Sequence, residues 1–125
     1  MDGDAVAESL ALYAARHGDP APAVYARLFA RHPEAEALFL LDTGGHVRGQ
    51  MLAVALEALL DGGERLAGLI GIERLNHANI GVPEALFDGF YALLMQTVRE
   101  SLGPDWTPAM ESGWRARLDA LGLPA

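Results

Sequence analysis

Hydrophobic positions recur along the chain at intervals of three and four residues, and no segment holds the two-residue alternation of a half-buried strand. Val6, Leu10 and Tyr13 give a first helix over about Asp4 to Arg16, which Gly18 stops. Asp19 and Pro20 then supply a cap and a first-turn proline for a second helix reaching about Arg31, with Val24, Leu28, Tyr25 and Phe29 on its apolar side. Pro33 breaks that helix and opens a short helical turn ending at Phe39. After the loop "LLDTGGH" a further helix is predicted from about His46 to Leu60, and after "DGGE" a short one from about Glu64 to Asn76. Pro83 starts a long helix to about Leu102, with Leu86, Phe90, Leu93, Leu94 and Val98 facing inward. Thr107 caps the last helix, with Pro108 at its first position and Trp114, Leu118 and Leu121 on its apolar face. The pattern predicts an all-α single domain over residues 1–125, with six to seven helices, no repeat and no linker.

The chain's 125 residues suffice to bury one core. Half of them are hydrophobic, yet the longest apolar stretch, "MLAVALEALL", is interrupted by Glu57 and falls short of the ~20 residues that span a bilayer. The formal net charge is −8 and all nine basic residues are Arg, a balance that speaks against nucleic acid and against an anionic membrane surface. An acidic N-terminus without a basic region is unlike a secretory signal, so a cytoplasmic setting is expected. Cys is absent, which removes disulfides, thiolate metal sites and thiol nucleophiles and leaves His, Asp and Glu as metal ligands.

Common catalytic signatures are missing. There is no Lys for a phosphate loop, no nucleophile elbow around Ser9, Ser101 or Ser112, and no His-Glu-x-x-His pair. His17 and His32 stand at helix ends, where an imidazole suits the negative end of the dipole, and His46 stands at a helix start. His77 differs, because it falls seven residues after Ile70 and eleven after Leu66, on the apolar stripe of its helix. Taken alone it reads as a partly buried structural histidine or as a ligand. Tyr25 and Phe39 likewise read as core aromatics or as cofactor contacts.

The order of these parts carries more than any one of them. In "VYARLFARHPEAEALF", Val24 to Phe39, a Tyr is followed four residues later by an aromatic, then by a turn-opening Pro and a closing Phe. "NHANIGVPEALFDGFYALLMQTVRESLG" is followed by "WTPAMESGW". These stretches resemble the B–C and F–G–H regions of bacterial single-domain globins and of the haem domain of flavohaemoglobins, and the likeness covers nearly the whole chain. It implies a globin fold, a three-over-three helical sandwich around haem b.

On that resemblance His77 is the proximal iron ligand, with the Glu73 carbonyl one turn earlier fixing its tautomer. Phe39 would stack on the haem face, and Val82, Phe90 and Leu94 would line the proximal slot. Tyr25 would donate a hydrogen bond to bound O2, an interaction of about 1.5–3 kcal/mol that slows ligand loss by roughly one to two decades. The favoured register of the helix after His46 puts Leu52 over the iron and Arg48 at the gate, with Gly49 where two helices approach closely. A shift of two makes Gln50 the gate and Val54 the apolar cover. Arg48 and Arg74 are candidate partners of the haem propionates.

Leu86 stands where flavohaemoglobins carry a Tyr, and the chain ends before their late Glu, so the hydrogen-bonded network of the family's proximal side is not expected. A segment about four residues short before His77 predicts an abbreviated or irregular proximal helix. The implied activity is reversible binding of O2, NO and CO at a five-coordinate iron, as an oxygen carrier or in NO detoxification with a separate reductase. The alternatives are a haem-dependent NO dioxygenase, a haem-free globin-like sensor or interaction module, and a six-coordinate iron with His46 as its second ligand.

Overall fold

The computed structural model describes residues 4–61 and 67–124, all of whose regular structure is helical. The helices are α1 (Ala5–His17), α2 (Ala21–Arg31), α3 (His46–Asp61), α4 (Ala67–Asn79), α5 (Glu84–Leu102) and α6 (Pro108–Ala120). Two 3-10 segments, Pro33–Phe39 and Gly103–Asp105, join α2 to the loop before α3 and α5 to α6. The all-α expectation holds, and the predicted boundaries fall within a residue or two of the observed ones wherever both are described, except that α4 runs to Asn79, three residues past the expected Asn76. The "DGGE" break and the predicted helix start at Glu64, with Leu66, lie largely outside the described residues. From Ala67 onward α4 is a continuous 13-residue α-helix rather than an irregular one.

Short polar side chains set the helix starts, because the first backbone N–H groups of a helix have no intrahelical acceptor. Asp4 accepts from Val6 N at 3.0 Å, Asp19 from Ala21 N at 2.9 Å, and Thr107 Oγ1 from Met110 N at 3.1 Å. Pro33 cannot continue α2, and the chain tightens there into the 3-10 segment that ends on Phe39.

Helix α5 runs through the middle of the molecule and packs against α1, α2 and α4. Its Leu93, Leu94 and Val98 are buried, as are Val6 and Tyr13 of α1 and Trp114 and Leu118 of α6. α1 and α6 meet closely: a side chain at Gly113 would come 3.3 Å from the Ala5 methyl. At that contact the Trp114 indole donates to Ser9 Oγ at 2.8 Å, and Ser9 donates onward to the Val6 carbonyl at 2.7 Å. The buried polar atoms of the core are therefore paired, as their burial requires. Arg117 of α6 reaches both the Leu59 carbonyl of α3 and, at 2.8 Å, the Asp4 carboxylate at the start of α1. No described helix is long and apolar enough to cross a membrane.

Candidate functional site

A cleft of about 620 Å³ opens between α3 on one side and α4 and α5 on the other, with the end of the Pro33–Phe39 segment closing one end. Its wall is apolar apart from Gln50, Glu73, His77 and Tyr91. A volume of this size with few polar groups suits a flat organic cofactor better than a small polar metabolite.

His77 stands two residues before the end of α4 and is placed there by the turn that follows. Val82 N and Ile80 N both donate to the His77 carbonyl, at 2.9 and 3.2 Å, and Gly81 takes the left-handed φ of 92° that closes such a turn. The side chain is about one-fifth exposed. Its Nδ1 lies 2.7 Å from the Glu73 carbonyl, which can only accept, so Nδ1 carries a proton and, in the neutral ring, Nε2 carries the lone pair. The Phe87 ring, 5.0 Å away between centroids, holds the imidazole from the side. Among the described residues no three of His, Cys, Asp and Glu gather into a site for a bare metal ion. A single available nitrogen suits a metal that arrives already chelated and needs only an axial ligand.

Of the residues expected around a cofactor, His77, Phe39, Val82 and Phe90 stand together on the cleft wall. Four others do not. Leu94 is wholly buried beneath the wall, in the core of α5. Leu52 is also buried, on the side of α3 that carries Ala55 and Leu59 into the core. Tyr25 is buried behind the wall, its ring 5.6 Å from Phe39 and 5.5 Å from Phe90, and its hydroxyl donates to the Arg48 carbonyl at 3.0 Å. Burial, above all, raises the phenol's pKa well beyond its ordinary value, so the hydroxyl keeps its proton.

Arg48 is drawn away from the cleft by Asp42. The Asp42 carboxylate accepts from Val47 N, Arg48 N and Arg48 Nε, each at 3.0 Å, while the guanidinium also donates to the Asp42 carbonyl at 2.9 Å. Burial alone would raise the pKa of Asp42; the two backbone donors and the Arg48 guanidinium outweigh it and hold the carboxyl below its usual range.

The side of α3 that faces the cleft carries Val47, Gln50, Met51 and Val54. The register with Arg48 and Leu52 over the cofactor is thus not the one turned to the cleft; the register shifted by two is. Gly49 is not a point of close helix approach either, since a Cβ there would meet nothing within 4 Å. Arg74 is also engaged elsewhere: its Nε meets Asp88 at 2.8 Å and its guanidinium donates to the Gly122 carbonyl at 3.1 Å. His46 is exposed and does not line the cleft.

Met51, Phe87 and Tyr91 are among the wall residues that the sequence did not single out. Val47, Gln50, Met51 and Val54 follow the i, i+3, i+4, i+7 spacing of one helix face, a signal that was present but rivalled by a second apolar stripe through Leu52, Ala55 and Leu59. Tyr91 is buried, and burial followed by the nearby charge of Glu73 pushes its phenol up to about 12.

Compared with known proteins, no curated protein and no solved structure matches the chain. The family model described as Globin matches residues 22–122, from the start of α2 to just past α6, and with it the cleft, so the chain belongs to the globin family.

Proposed function

We propose that the protein is a haem b globin that reversibly binds O2, and with it NO and CO, at a five-coordinate iron held by His77. Globins typically bind haem and, through it, diatomic gases, and the residues present suit that cofactor. The observation that carries the proposal is the Nδ1 contact of His77 with the Glu73 carbonyl, which leaves Nε2 as the donor nitrogen on the wall of an apolar cleft.

When bound, haem supplies an open coordination position for the gas, and the chain supplies everything that positions it. His77 would hold the haem iron through Nε2, and Phe39, Phe87 and Phe90 would give its ring flat apolar contact and exclude water. On the opposite wall Val54 would cover a gas bound to the haem, and Gln50 is the polar side chain of α3 that would donate a hydrogen bond to it. The Tyr25 hydroxyl, committed to the Arg48 carbonyl, acts instead as a post that fixes α3 against α2. Oxygen binding needs no further electron supply, whereas sustained NO detoxification would draw electrons from a separate reductase.

Absorption spectra of the purified protein titrated with haemin test this reading. The expected result is stoichiometric uptake, a ferrous spectrum that shifts on adding CO or O2, and loss of both features in His77→Ala. Failure of the wild-type protein to take up haemin, or a His77→Ala variant with an unchanged spectrum, would overturn it.

A further inference from the structure

His77 Nδ1 lies near two oxygens of Glu73. One is the Glu73 carbonyl at 2.7 Å; the other is Oε2 of the Glu73 carboxylate at 3.9 Å, one helical turn before the ring. The carboxylate stands on the cleft wall and is about one-third exposed. The neighbouring cation, Arg74, is turned to Asp88 and Gly122 rather than to this carboxylate. Among the described residues no Arg is paired with the Glu73 carboxylate, so its charge acts on the nearby His77 ring.

We propose that Glu73 is a positioning residue for the axial ligand: its carboxylate, set beside Nδ1, raises the electron donation of Nε2 to a metal bound in the cleft. This inference rests on the reading of His77 as that ligand. A histidine that donates through one nitrogen builds up positive charge on the ring, and a carboxylate near the other nitrogen stabilises that charge and makes the ring a stronger base. A stronger axial donor favours the ferric over the ferrous state, so the charge at Glu73 lowers the reduction potential. The carbonyl contact orients the ring, and the carboxylate tunes it. The tuning group lies on the same helix as the ligand, so it moves with it.

The test uses the full chain loaded with haemin and two substitutions that leave the Glu73 carbonyl in place. Glu73→Gln removes the charge and keeps the shape, whereas Glu73→Asp keeps the charge. In Glu73→Gln the ferric–ferrous equilibrium is expected to move about tenfold toward the ferrous state, a rise of about 59 mV for a one-electron couple. The iron–histidine stretching frequency of the ferrous protein, read by resonance Raman, should fall. Glu73→Asp should stay closer to wild type in both readouts. A Glu73→Gln potential and stretch equal to wild type, or Gln and Asp variants that shift alike, would overturn the inference while leaving haem binding intact. A wild-type protein that takes up no haemin fails the proposed function itself, and the two failures are told apart by the spectrum before any potential is measured.

Discussion

The hydroxyl of Tyr25 has one proton, and the carbonyl of Arg48 takes it at 3.0 Å. Two consequences follow at the scale of single residues. Tyr25→Phe leaves a carbonyl on α3 without its side-chain donor, and the expected cost is about 1 kcal/mol in urea-induced unfolding. In the haem-loaded protein, Gln50→Leu should speed O2 release by about tenfold, the effect of losing roughly 1.4 kcal/mol of hydrogen bonding, and Tyr25→Phe should change it less. Stopped-flow measurement of O2 dissociation checks both, and a larger effect from Tyr25→Phe would place the phenol back at the ligand. The sequence made the likeness of Tyr25, Phe39 and His77 legible because residue types and spacing carry it. It could not show where the Tyr25 proton goes, since that depends on the backbone of a helix 23 residues away. Arg48 misled for a related reason. Its captor, Asp42, lies six residues upstream, across a loop that turns at Gly45 with φ 73°, and no helical periodicity links the two.

At the scale of elements, α3 shows what periodicity leaves open. Its Leu52, Ala55 and Leu59 face the core, and its Val47, Gln50, Met51 and Val54 face the cleft. A helix apolar on two sides does not declare which side meets a ligand. The ends of the helices were legible because Asp, Thr, Pro and Gly act locally, and these residues do stand at the observed ends. The start of α3 depends on a single carboxylate, and this gives a pH-dependent prediction. The folded-state pKa of Asp42 lies below the ordinary 3.8, so unfolded chains bind the proton more readily and folding is favoured by deprotonation. The contribution is present above about 3.8 and is lost as the pH falls through the lower folded value. The urea midpoint of the wild type should drop over that acid range, and Asp42→Asn should start lower at neutral pH and drop less. Parallel curves for the two proteins would show that Asp42 does not couple to folding.

For the whole molecule, the core and the cleft are separate tasks that share α5. The division runs along that helix: Leu86, Phe87, Phe90 and Tyr91 of its first half stand on the cleft wall, while Leu94, one turn after Phe90 on the same face, is buried in the core with Leu93 and Val98. Leu94→Ala should therefore cost about 2–5 kcal/mol of stability, the range for a truncated core leucine, without touching the ligand. A cofactor that binds only the folded state adds stability by mass action: at about a hundredfold excess over its Kd the gain is about 2.7 kcal/mol, or roughly 10 °C in melting temperature for a chain of this length. The wild type should show that increment on adding haemin. His77→Ala should show a smaller one at the same haemin concentration, because the axial bond is gone and the Kd is weaker. Leu94→Ala should melt lower than the wild type without haemin and still gain a comparable increment with it. Calorimetry of the three proteins with and without haemin reads all of these values. An increment lost in Leu94→Ala but kept in His77→Ala would mean that the cofactor sits in the core rather than in the cleft, and that α5 does not divide the two tasks between its two halves.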